Sequence, residues 1–211
     1  MNQASGATAE GALSIAERFV AARLSATPLA AYPGTIPPDM NAAYMCQDEA
    51  IALWPDEIVG WKVGWIGEDQ QRVYREERVV GPIFRNAVHL IRLDEEIEFP
   101  VYRGGFAAVE AEYVFRISAD APADKLSWTD AEAADMVGAL YIGVEPASSP
   151  LATINDLGPA VVVSDFGNNA GLLLGPEVAD WRRRIADGMT CETFIEGRSV
   201  GKGGTARLPK G

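Results

Sequence analysis

Three carboxylates and one lysine are the residues of this sequence whose types and spacing suit them to chemistry. Glu110 and Glu112 sit in the run AVEAEYVFRI, Ala108 to Ile117, which alternates as a β-strand does. Side chains two apart share a strand face, so the two carboxylates point the same way from Cα atoms about 6.6 Å apart, while Val109, Ala111, Tyr113 and Phe115 take the other face. Taken alone, such a pair also fits a half-exposed strand whose polar face is acidic. Two further features favour a shared ligand. Val114 lies on the acidic face, and a third carboxylate, Glu145, closes the strongly apolar run ALYIGVE.

Buried like charges are neutralised by protonation, by basic partners or by a cation. Oxygen-only ligation favours a hard divalent ion, magnesium or manganese, over zinc. The single histidine, His89, argues against an imidazole-rich site and leaves a serine triad or a cysteine-histidine dyad little to be built on. It reads as a surface or loop residue. Cys46 and Cys191 have no metal-ligand or redox spacing and read as packing residues. Lys62 stands in the glycine-flanked apolar segment GWKVGWIG, where lysine is seldom placed for packing alone. Three glutamates on a divalent ion leave one net negative charge, and an ammonium such as Lys62 would compensate it for an anionic substrate. An exposed strand lysine is the alternative.

The elements that must position these groups are mixed. Ala9 to Arg23 has the apolar spacing of an amphipathic helix. The proline-rich stretch Thr27 to Met40 breaks it and reads as an ordered surface connection. A second helix is expected over Asn41 to Leu53 with Asn41 as its cap. Strands are expected over Gly60 to Gly67, Ile97 to Tyr102 and Val109 to Ile117. Val79 to Ile83 touches a turn at Gly81-Pro82. WTDAEAADMVGA returns to helix, with Thr129 and Glu132 spaced as a capping box. AVVVSD is a compact apolar run ending at Asp165. Gly201 to Gly211 reads as a flexible basic loop without phosphate-loop spacing. Strands and segregated helices together predict an α+β fold.

The chain's 211 residues, 48% of them apolar and 23% charged, suffice for one sizeable globular domain. A formal charge of -12 repels nucleic acid and anionic membranes. The amino terminus lacks the charged start of a secretory signal, and no apolar run reaches the roughly 18 residues of a membrane span. A cytoplasmic protein is expected.

The runs AAYMCQDEAI, GWKVGWI, VEAEYVF, GVEP and VVVSDFGNNAGLLLG, in that order, resemble the 2-keto-4-pentenoate hydratase group of the fumarylacetoacetate hydrolase superfamily. The likeness runs from about Asn41 to the end of the chain. It implies a fumarylacetoacetate hydrolase-like mixed β-sandwich or roll over 41–211, preceded by a helix and proline-rich connection over 1–40. Members of the group normally continue past the equivalent of Gly211 with a further helix and closing strands, so the chain is expected to be either a fragment or a shortened form of that pattern. Carried over by motif, the likeness makes Glu110, Glu112 and Glu145 the ligands of Mg2+ or Mn2+, and Lys62 the residue that stabilises enolate charge or relays a proton. Asp165 becomes a candidate base by position, and Asn168 and Asn169 candidate substrate contacts, because Phe166 stands where the group commonly has asparagine. The implied reaction hydrates 2-hydroxypenta-2,4-dienoate or a related small anionic 2-oxo acid during aromatic-compound breakdown, in a homo-oligomer. A 4-oxalocrotonate-type decarboxylase shares the cradle. The carbon-carbon hydrolase branch fits less well, because the lysine it usually has in this region is absent from VVVSDFG. A non-catalytic metabolite-binding relative is the alternative of another class.

Overall fold

The structure, a computed structural model, describes residues 9–205. These residues fall into two compact units, each assembled from separated stretches: 9–88, Glu98–Val109 and Pro146–Leu172 in the first, and His89–Ile97, Glu110–Glu145 and 173–205 in the second.

The first unit is built on helices α1 (Ala9–Leu24) and α2 (Met40–Leu53). In α1, Ala12, Ile15, Ala16, Phe19, Val20 and Arg23 recur at three- and four-residue spacing, and all are buried. Ile15 and Phe19 meet Cys46 of α2 together with Leu151, Ile154 and Val161, while Ala16 and Val20 meet Ala50, Phe84 and Phe166. The proline-rich connection is pinned, as expected: Leu29 N–H donates to the Pro150 carbonyl and Tyr32 Oη to Ser164 Oγ. Helix α2 is capped by Asp39 rather than Asn41. Pro37 and Pro38 hold the chain extended, and Asp39, the next residue, accepts from Ala42 N–H at 2.9 Å.

Strand β1 (Ile58–Trp65) is followed by the short helix α3 (Glu68–Tyr74) and pairs antiparallel with β2 (Arg78–Phe84). Gly81-Pro82 is therefore strand, opposite Lys62 and Trp61, and not a turn. Proline is tolerated on such an edge, and glycine is required there: a Cβ on Gly81 would stand 2.1 Å from the Phe166 carbonyl oxygen. Strand β3 (Val88–Leu90) follows a short 3-10 turn. Ile97 to Tyr102 forms no strand, since Pro100 has no N–H to give a ladder.

The second unit holds most of a four-stranded sheet ordered β3-β6-β5-β4, from β4 (Phe106–Ile117), β5 (Val137–Ser149) and β6 (Leu172–Glu177). Helix α4 (Asp130–Asp135) lies between β4 and β5 and carries the expected box, Thr129 and Glu132 each accepting from the other's backbone N–H. Ser118 N–H and Oγ both donate to the Met136 carbonyl, joining the end of β4 to the start of β5. Helix α5 (Pro159–Ser164), in the first unit, is what AVVVSD becomes. Its valines are β-branched, but Pro159 presets the first turn and burial of Val161 and Val163 outweighs propensity. Helix α6 (Trp181–Asp187) precedes a hairpin of β7 (Thr190–Ile195) and β8 (Arg198–Gly204). Gly201 to Gly204 is thus strand rather than loop, and 206–211 lie outside the described residues.

Candidate functional site

Within the second unit, the pleat of β4 puts Glu110 and Glu112 on one face, and neighbouring β5 brings Glu145 to them. One carboxylate oxygen from each lies within 4.8 Å of the others. Burial is graded: Glu110 is exposed, Glu112 half-buried and Glu145 only 2% exposed. Glu145 does not end its strand, because β5 continues through Ser149. The Val109 face of β4 is itself open, Val109 being 63% exposed, so alternation around Glu110 does not mark a buried face. The donor set is three hard anionic oxygens, which fits magnesium, manganese or calcium better than zinc.

Lys62, Asp165, Asn168 and Asn169 belong to the first unit. Lys62, half-buried on β1, donates from Nζ to the Gly167 carbonyl at 2.9 Å and to Asn168 Oδ1 at 2.8 Å. Those acceptors come from a left-handed turn in which Phe166, Gly167 and Asn168 have φ of 55°, 64° and 56°. Glycine and asparagine tolerate that region, whereas Phe166 pays about 1–2 kcal/mol for it. Its ring is held in compensation, edge-on to Phe84 at 5.1 Å and to Trp54 at 5.5 Å between centroids. Asn168 Nδ2 donates to Asn155 Oδ1, which aims Oδ1 at the lysine.

Asp165 is 1% exposed and engaged on both oxygens, taking Arg23 Nε at 2.5 Å and Ser149 Oγ at 2.6 Å. Asn169 donates from Nδ2 to the Gly171 carbonyl and gives its own carbonyl to Arg23. His89 is exposed on β3 and Cys191 half-buried on β7, while Cys46 is fully buried, its thiol pushed up from its ordinary range by desolvation. Arg23, Ser149 and Asn155 were not singled out from the sequence. The available signals were an arginine on the apolar stripe of α1 and the consecutive turn-formers Gly167, Asn168 and Asn169.

No family model matches the chain, and no curated protein matches it. Solved structures do. A 4-oxalocrotonate decarboxylase from Pseudomonas putida G7, complexed with magnesium and adipate, superposes with a TM-score of 0.64 at 18% identity, over 94% of this chain and 75% of that one. The same enzyme complexed with calcium and acetate gives 0.63 at 19%, over 94% and 74%. The α+β, fumarylacetoacetate hydrolase-like fold expected from the sequence is the fold the chain has. Among the described residues no helix is long and apolar enough to cross a membrane.

Proposed function

We propose that this chain is a divalent-metal-dependent enzyme of 2-oxo acid chemistry, a hydratase adding water to 2-hydroxypenta-2,4-dienoate or a related 2-oxo acid of aromatic-compound breakdown. The observation that carries the reading is the convergence of Glu110, Glu112 and Glu145 oxygens within 4.8 Å on adjacent strands. These residues would hold Mg2+ or Mn2+, and the solved structures of the same fold contain magnesium and calcium, both hard ions. Bound there, the ion would supply Lewis acidity towards an anionic 2-oxo acid.

The remaining work falls to the chain's own groups. Lys62 is assigned, independently of the carboxylates, to donate a proton or a hydrogen bond where negative charge develops. Gly167 O and Asn168 Oδ1 both accept from Nζ and fix where the amino group stands. Asn168, spent on Lys62 and Asn155, is assigned to hold the lysine rather than to bind substrate. Asn169 remains a candidate substrate contact. Asp165 would have to abandon Arg23 and Ser149 to activate water, so we assign it to the scaffold.

A second reading, decarboxylation of a 4-oxalocrotonate-type diacid, is favoured by the identity of the solved structures that match. One assay series separates the two. The protein is incubated with Mg2+ and either 2-hydroxypentadienoate, following loss of dienol absorbance, or 4-oxalocrotonate, following carbon dioxide. Hydration is expected on the first substrate. Carbon dioxide release without hydration establishes the second reading, and inertness towards both with Mn2+ still bound leaves a metal-binding relative without this activity.

A further inference from the structure

We propose that Arg23, on the amino-terminal helix, is a positioning residue that acts on Lys62 through the left-handed turn between them; the inference rests on Lys62 serving the reaction proposed above. Arg23 is 7% exposed and lies 142 positions from Asp165 in sequence. Its guanidinium grips both ends of the turn. On the entering side Nε pairs with Asp165 Oδ1 at 2.5 Å and Nη2 donates to the Asp165 carbonyl at 3.2 Å. On the leaving side Nη1 donates to the Asn169 carbonyl at 3.0 Å. A further bond from Nη2 to the Ser148 carbonyl ties the group to the end of β5, and its carbon stands 5.1 Å from the Phe166 ring centroid.

The three residues between those grips are the ones at positive φ, and two of them supply the acceptors of Lys62 Nζ. A planar fork with five fixed donors spans several acceptors at once; an ammonium of equal charge does not. The turn is also backed by Gly81, whose Cα lies 3.1 Å from where a Cβ on Gly167 would be, so it cannot relax towards β2. Loosening the fork lets the turn swing, and the lysine loses its fixed station.

The test compares wild type, Arg23→Lys and Asp165→Asn as full-length proteins. Lys62 is pulse-labelled with an amine-reactive reagent and its rate read by mass spectrometry against exposed Lys202; turnover and Mn2+ affinity are measured alongside. Both variants are expected to label Lys62 several-fold faster, and to lose on the order of tenfold or more in kcat with little change in KM. Mn2+ affinity is expected to stay at the wild-type value. Folded Arg23→Lys with wild-type labelling and kcat overturns the proposal, as does a parallel loss of Mn2+ affinity, which marks general collapse. If Arg23→Lys fails to fold, Asp165→Asn decides by the same readout, because it keeps the side chain's shape while removing the charge that pairs with Arg23. If wild type turns over neither substrate, the proposed reaction fails, and the labelling comparison alone still decides whether Arg23 holds the lysine.

Discussion

Replacing one oxygen of Glu145 by nitrogen removes its charge while leaving its volume. Glu145→Gln is expected to weaken Mn2+ binding by at least about tenfold, measured by calorimetry or by the free-ion electron paramagnetic signal. Glu110→Gln should cost less, since Glu110 is exposed and solvent screens its charge. No loss in either variant would remove the carboxylates from the metal site, and equal losses would refute the grading by burial. The thiols give a second check. With Cys46 fully buried and its thiol raised by burial, a neutral-pH thiol reagent is expected to find one reactive cysteine, Cys191, in the native protein and two after denaturation. The carboxylates were legible in the sequence because a two-residue period fixes which side chains share a face, and Glu145 because an acid at the end of an apolar run is conspicuous. Arg23 was not, because a partner 142 positions away leaves no local trace. Asp165 was found for a role by position, while what surrounds it came from α1 and β5, beyond any local pattern.

At the scale of elements, two predictions concern how strands and helices are locked. Gly81→Ala would drive a methyl into the Phe166 carbonyl, at 2.1 Å if nothing moved. Destabilisation of about 1–3 kcal/mol in urea unfolding is expected. Unchanged stability would mean that β2 and the turn are not in close register. The capping box of α4 gives a pH signature. Lys125, then Thr129, hold the Glu132 carboxyl down at about 2, below its ordinary 4.5. A lowered folded value means the stabilisation is present above the ordinary range and lost as pH falls through it towards 2. The gap in Tm between wild type and Glu132→Gln is therefore expected to be open at pH 6 and to close between about 4.5 and 2; a gap independent of pH would refute it. That box was legible because its partners are three residues apart. The helix of AVVVSD and the strand at Gly81-Pro82 were not, because burial and a neighbouring carbonyl, both tertiary, decided them.

The whole molecule carries a formal charge of -12, so a divalent cation meets an attractive average field. Mn2+ affinity is expected to fall several-fold as ionic strength rises from about 10 mM to about 150 mM, where the Debye length shortens to about 8 Å. Salt-independent affinity would mean that only the immediate ligands matter. The fold class was legible at this scale from mixed strand and helix patterns, but the two units were not, because each gathers separated stretches and no break in composition marks them. The long tie between Arg23 and Asp165 has a consequence for how the protein is made. A ribosome releases α1 well over a hundred residues before the carboxylate that will neutralise its arginine, and before Phe166, against which Ala16 and Val20 pack. Throughout that interval the apolar stripe of α1 is without these late partners, and α2, carrying Cys46 and Ala50, is the first of its packing elements to emerge.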